Sequence, residues 1–136
     1  MKPFSKNIFL ILNLIFLMLS CSEQNKLGEG VLKGKISIGP LCPVETIPPQ
    51  PQCLPTMETY KAWQTSVWNL NETTKLVNIT PDLSGNYQIN LPVGEYVVDF
   101  ENRIKLSIQR SNLPVKIKIN NGDSTKLDIN IDTGIR

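Results

Sequence analysis

The feature that most constrains this chain is a two-residue rhythm of apolar and polar side chains that recurs from Leu32 to Ile131. Leu32, Gly34, Ile36 and Ile38 alternate with Lys33, Lys35 and Ser37. The beat returns at Tyr87, Ile89 and Leu91, at Tyr96, Val98 and Phe100, and at Ile104, Leu106 and Ile108. It returns again at Val115, Ile117 and Ile119 and at Leu127, Ile129 and Ile131. Alternation of period two puts one side of a strand on a core and the other in water, whereas an amphipathic helix repeats every three to four positions. Two further segments read as strands: Ala62 to Leu70, with Trp63, Val67 and Trp68, and Lys75 to Thr80. The tryptophans, five apart, fall on opposite faces of a regular strand, one towards the core and one under a loop or at the surface. Turn signals separate the runs at Asn71-Glu72-Thr73, Pro81 to Asn86, Pro92-Val93-Gly94 and Asn121-Gly122. The pattern predicts a single all-β domain, an antiparallel β-sandwich of about seven strands, with no convincing helix.

Residues 40–55 interrupt the rhythm. Six of the chain's ten prolines fall there. Proline fixes φ and removes a backbone donor, so the segment cannot join a ladder and is expected to be a stiff loop.

At the N-terminus, Lys2 and Lys6 precede an apolar run from Ile8 to Leu19, broken only by Asn13, and Ser20 precedes Cys21. A basic start, a short apolar core and a small residue before the cut describe a secretory signal, too short to span a bilayer. The ending Met18-Leu19-Ser20-Cys21 resembles bacterial lipoprotein signals, in which the cysteine is acylated and becomes the first residue. The resemblance implies a signal peptide at 1–20, lipidation of Cys21 by palmitate-type chains, a tether at 21–30 and the sandwich at 31–136. It also implies a cell-envelope protein attached to the membrane by its lipid. Ser22 in place of Asp, by the same analogy, points to the outer membrane. About 115 residues remain, enough for one modest core. The chain's formal charge of +2 comes from Lys2 and Lys6, so the remainder is neutral. A neutral chain lacks the basic patch of a nucleic-acid binder and the polybasic stretch of a membrane-surface protein.

If Cys21 carries lipid, Cys42 and Cys53 remain, and an exported compartment favours their pairing. The alternative is two free buried thiols. Pairing would close a twelve-residue loop, worth roughly 3 kcal/mol.

The run Asp82 to Tyr96 reads D-x-x-G-x-Y followed by L-P-x-G-x-Y. It resembles the signature of carboxypeptidase regulatory-like and transthyretin-like (prealbumin) domains. Gly39 to Glu45 and the closing Ile131 to Arg136 resemble small secreted bacterial members of that group. The resemblance spans about residues 30–136 and implies the sandwich fold and an accessory, adhesive or scaffolding role. It carries no catalytic residue. Independently of it, Gly85 and Gly94 suit tight turns, and Tyr87 and Tyr96 offer hydroxyls that can bond loop carbonyls.

Little else suggests chemistry. The chain has no histidine, which removes Ser-His-Asp and Cys-His catalysis and the commonest zinc ligand. The carboxylate pairs Asp99/Glu101 and Asp128/Asp132 read as exposed polar groups on solvated strand faces. The turn Asp82-x-Ser84-Gly85-Asn86 lacks the further acids of a calcium loop. Lys33, Lys35, Asp128 and Asn130 face outward on the first and last strands, which denies a lysine the burial that a self-formed isopeptide bond requires. No cofactor and no metal are expected. The functional expectation is a non-enzymatic envelope module that binds an envelope protein or a glycan. Its contact loop would be Cys42–Cys53, with Val44, Glu45, Thr46 and Ile47 near the tip, since a rigid loop loses little entropy on binding. A loop that only covers the sandwich is the plainer alternative, and a protease inhibitor presenting residues 42–53 in extended form is another.

Overall fold

The computed structural model describes residues 28–44, 46–102 and 110–136. The expected signal segment, Cys21, most of the tether, Glu45 and the strand expected at Ile104 to Ile108 lie outside the described residues. None of the described helices is long and apolar enough to cross a membrane.

Among the described residues the strands are β1 (Glu29–Gly39), β2 (Thr65–Asn69), β3 (Lys75–Ile79), β4 (Asn86–Pro92), β5 (Gly94–Phe100), β6 (Arg110–Ser111), β7 (Val115–Ile119), β8 (Ser124–Lys126) and β9 (Ile129–Asp132), with one α-helix, α1 (Met57–Ala62). One sheet runs β4-β1-β9-β6, with β8 also on β1, and the other runs β3-β2-β5-β7. Leu32, Ile36, Ile129 and Ile131 of the first sheet meet Val67, Ile79, Val98 and Ile119 of the second in one core, so the expected β-sandwich forms. Period-two alternation carries this outcome: on β1 the buried Leu32, Ile36 and Ile38 flank exposed Lys33, Lys35 and Ser37.

The first and last strands depart from a purely antiparallel plan. β1 pairs antiparallel with β4 but parallel with both β8 and β9. The strand expected at Leu127 to Ile131 is split, and β8 precedes the split. At the break the Leu127 N–H donates to the Lys33 carbonyl (2.9 Å), and the Lys35 N–H donates to Asp128 Oδ1 (3.0 Å). A Cβ on Gly34 would lie 1.8 Å from the Leu127 carbonyl oxygen, so only glycine lets the kinked strand cross there. Tyr87, opposite Gly34 on β4, donates its hydroxyl to that same oxygen at 2.7 Å.

Two turn signals also act differently from a hairpin. Pro92-Val93-Gly94 and Asn121-Gly122 each carry the chain from one sheet to the other. Gly122 has φ +69° and donates its N–H to the Glu29 carbonyl (2.8 Å). The Tyr96 hydroxyl donates to the Pro92 carbonyl (2.8 Å), which fixes the other crossing. Gly85 takes φ +85°, as its turn requires, while Gly94 lies against Tyr96, whose hydroxyl oxygen is 3.2 Å from where a Cβ would sit.

Two expectations are corrected. Strand β2 begins at Thr65, not Ala62, because residues 57–62 form a helix. Thr56 accepts from the Thr59 N–H (3.3 Å), and the Thr59 hydroxyl accepts from the Thr56 N–H (3.0 Å). This reciprocal cap satisfies donors that a six-residue helix would otherwise leave unpaired. Tyr60 buries its ring in the core, and Trp63 closes the helix. Asp99 was expected in solvent and is buried, level with fully buried Ser66 across β2 and accepting from the Phe100 N–H (2.8 Å). Glu101 is exposed and pairs with Lys75.

Candidate functional site

The proline-rich segment leaves β1 at Gly39 and returns to the sandwich at α1. Its two ends are fastened by apolar packing, since Leu41 and Met57 both rest against the core. Between them Cys42 and Cys53 form the disulfide, with Cα atoms 5.5 Å apart. The return half is ordered locally by a 3₁₀ turn at Pro51–Cys53, where the Cys53 N–H donates to the Gln50 carbonyl (2.9 Å). Prolines cannot supply ladder donors, so the remaining order comes from short-range bonds of this kind. The Thr46 hydroxyl donates to the Pro48 carbonyl (3.0 Å), and the Gln52 amide donates to Gln50 Oε1.

The structure divides the expected contact residues. Ile47 is fully exposed and Val44 is 71% exposed. Thr46 is half-buried and folds back onto Pro48. Glu45 lies outside the described residues. The loop therefore covers the end of the sandwich with its base and leaves its tip free. Leu41, Ile47, Pro49 and Leu54 line a hollow of about 470 Å³ against the disulfide. The sequence reading missed Leu41, Pro49 and Leu54 because nothing in their spacing marks a shared cavity. Burying a side chain such as Ile47 is worth about 1.5–3 kcal/mol, so a solvent-exposed isoleucine on a braced loop is a ready contact for an apolar partner surface.

The loop also has a defined position. β1 begins at Glu29 and the loop leaves it at Gly39. Eleven residues at about 3.3 Å each set the two roughly 35 Å apart, at opposite ends of the sandwich.

The acidic residues singled out in the sequence are occupied by local structure. Asp82 Oδ1 accepts from the N–H groups of Ser84 and Asn86 (both 2.9 Å), which closes its own turn. Asp128 pairs with Lys126 (3.0 Å), and this bond, with the Lys35 N–H, holds its carboxyl below the usual range. Asp132 pairs with Arg136. Lys33 and Lys35 are exposed, as the alternation required. Burial pushes the Tyr87 hydroxyl well up, helped by the charge of Asp128, and burial also raises Tyr60 and Tyr96.

No protein-family model matches the chain, and no curated protein matches it. Among solved structures, GBS52, the minor pilin of Streptococcus agalactiae, is similar at 15% identity and TM-score 0.49, over 78% of this chain and 45% of that one. A DUF3823 family protein from Parabacteroides merdae is similar at 17% identity and TM-score 0.44, over 76% of this chain and 46% of that one. Another, from Bacteroides ovatus, is similar at 10% identity and TM-score 0.41, over 74% and 44%. This chain spans less than half the length of each of these structures. The likeness ends at the outline of the sandwich.

Proposed function

We propose that this chain is a lipid-anchored, non-catalytic envelope module of the carboxypeptidase regulatory-like type, which meets a partner protein through the tip of the Cys42–Cys53 loop. The observation that carries the reading is the exposed Ile47 and Val44 on a loop whose base is fastened by a disulfide and by core packing. The position of the loop supports it: an anchor at Cys21 would hold the tether end near the membrane and present the loop away from it. The absence of histidine and the structural duties of Asp82, Asp128 and Asp132 support a binding role over a catalytic one.

A photo-crosslinking residue at Ile47, in the full chain in native envelopes, tests the reading. A single recurrent protein adduct is expected, and it should disappear when Cys42 and Cys53 are both replaced by serine. A control probe at Gln88, on the outer face of β4, should not give that adduct. The contact role fails if Ile47 gives no adduct or the same adducts as Gln88. The mass of the mature chain independently reports whether Cys21 is acylated.

A further inference from the structure

A second hollow lies on the outer face of the first sheet, beside the loop end of β1. Its origin is local. β6 ends at Ser111 and the chain turns away at Asn112, beside β9. Asn112 fixes that wall with both ends of its amide: Nδ2 donates to the Asp128 carbonyl (2.8 Å) and Oδ1 accepts from the Asn130 N–H (3.0 Å). On the opposite side the Thr133 hydroxyl donates to the Pro40 carbonyl, tying the last residues to the start of the proline-rich loop. The hollow is shallow and open to solvent, with a volume of about 750 Å³.

Its polar groups are held in place and incompletely used. Arg136 forms a fork on Asp132, with Nη1 to Oδ1 at 3.1 Å and Nη2 to Oδ2 at 2.7 Å. Nη1 also donates to the Ile135 carbonyl, so Nε and one Nη2 hydrogen remain available. Ser37 and Asn130 stand opposite one another in register on β1 and β9, and both are exposed. Neither side chain has a hydrogen-bond partner among the described residues, so one hydroxyl and one complete amide face the hollow. Asp132 accepts both bonds of that fork, and Arg110 stands opposite it in register on β6. An open wall of unused polar groups is also a poor centre for a protein interface, where such groups would be buried unpaired.

We propose that this hollow binds a hydroxyl-rich saccharide. Sugar hydroxyls both donate and accept, and neighbouring hydroxyls match the alternating donors and acceptors of Ser37, Asn130 and the Arg136 fork. The ring of Pro40 supplies an apolar patch for the C–H face of a sugar. The site is separate from the exposed tip at Ile47, so a saccharide and a protein partner need not compete.

The test uses the full chain in a zwitterionic detergent that carries no sugar, titrated with maltotriose, cellotriose and chitotriose. Saturation-transfer NMR should show magnetisation passing to the ring protons of at least one trisaccharide, and the Asn130 side-chain amide and Arg136 Nε signals should shift. Asn130→Ala removes a donor and an acceptor and is expected to weaken binding about tenfold or more. Ser37→Ala should weaken it less, and Gln88→Ala, on the same face but outside the hollow, should leave it unchanged. All three positions are exposed, so the variants keep the fold. Silence with all three trisaccharides overturns the proposal, as does binding that Asn130→Ala and Ser37→Ala leave untouched.

Discussion

Gly34, Tyr87 and Leu127 act as one device at the scale of single residues. The missing side chain of Gly34 lets the Leu127 carbonyl cross β1, and the Tyr87 hydroxyl binds that carbonyl on the far side. Gly34→Ala should therefore be among the most damaging single changes, costing about 3–4 kcal/mol in urea unfolding, because backbone rather than a flexible side chain must move. Tyr87→Phe leaves the same carbonyl without its partner and should cost about 1–3 kcal/mol. The hydroxyl also predicts an alkaline limit. It ionises at a higher pH in the folded state than the 10.0 of a free tyrosine. Its contribution is then complete below pH 10 and is lost as pH rises towards the folded value. Tyr87→Phe should remove that part of the alkaline destabilisation, followed by circular dichroism between pH 9 and 12. The roles of Tyr87, Tyr96 and Gly85 were legible in the sequence, since a tyrosine after a glycine turn has few other uses. The role of Gly34 was not: its place in the alternation made it look like one more core position, and only the path of Leu127 explains it.

At the scale of elements the sheet edges are guarded in different ways. The Val93 N–H donates to the Gly28 carbonyl, so the backbone groups of Tyr87, Ile89 and Leu91 face β1 and those of Asn86, Gln88, Asn90 and Pro92 face away. Asp82 takes both outward groups of Asn86, and Pro92 has no N–H and gives its carbonyl to Tyr96. Among the described residues of this edge, only Gln88 and Asn90 remain to pair with a foreign strand. On β3 a register shift against β2 and the exposed Lys75 break the edge, and on β7 Thr125 caps the Lys118 carbonyl (3.0 Å). The domain should be monomeric by light scattering at micromolar concentration. Asp82→Ala should cost about 1–2 kcal/mol and loosen one end of β4, seen as faster amide exchange at Asn86 and Gln88. Among the described residues, alternation over five residues or more made β1, β4, β5 and β7 legible, whereas the run from Leu127 to Ile131 is a strand only from Ile129. The helix was not, because its cap uses Thr59 where the usual signal has Glu or Gln, and six residues are too few to show a helical period. Asp99 misled for a related reason: alternation reports which side of a strand a residue occupies, not whether that side is covered.

The described residues form a sandwich with the start of β1 at one end and a cross-linked loop at the other. The two ends are separable in energy. Reducing Cys42–Cys53 should cost roughly 3 kcal/mol by the loop-closure argument and leave the β-sheet signal intact, because Leu41 and Met57 still fasten the base of the loop. Loss of all structure on reduction would show instead that the loop is part of the fold. The pairing of these cysteines was legible from their number, and the loop from its prolines. The hollow between Ser37, Asn130 and Arg136 was not, since its walls come from strands almost a hundred residues apart. The parallel pairing of β1 with β9 has a mechanical consequence. In a parallel pair the start of one strand and the end of the other lie at opposite ends, so a pull between Glu29 and Asp132 drags the two strands lengthwise past each other. Every cross-strand bond then resists at once, whereas an antiparallel pair pulled from one end would unzip bond by bond.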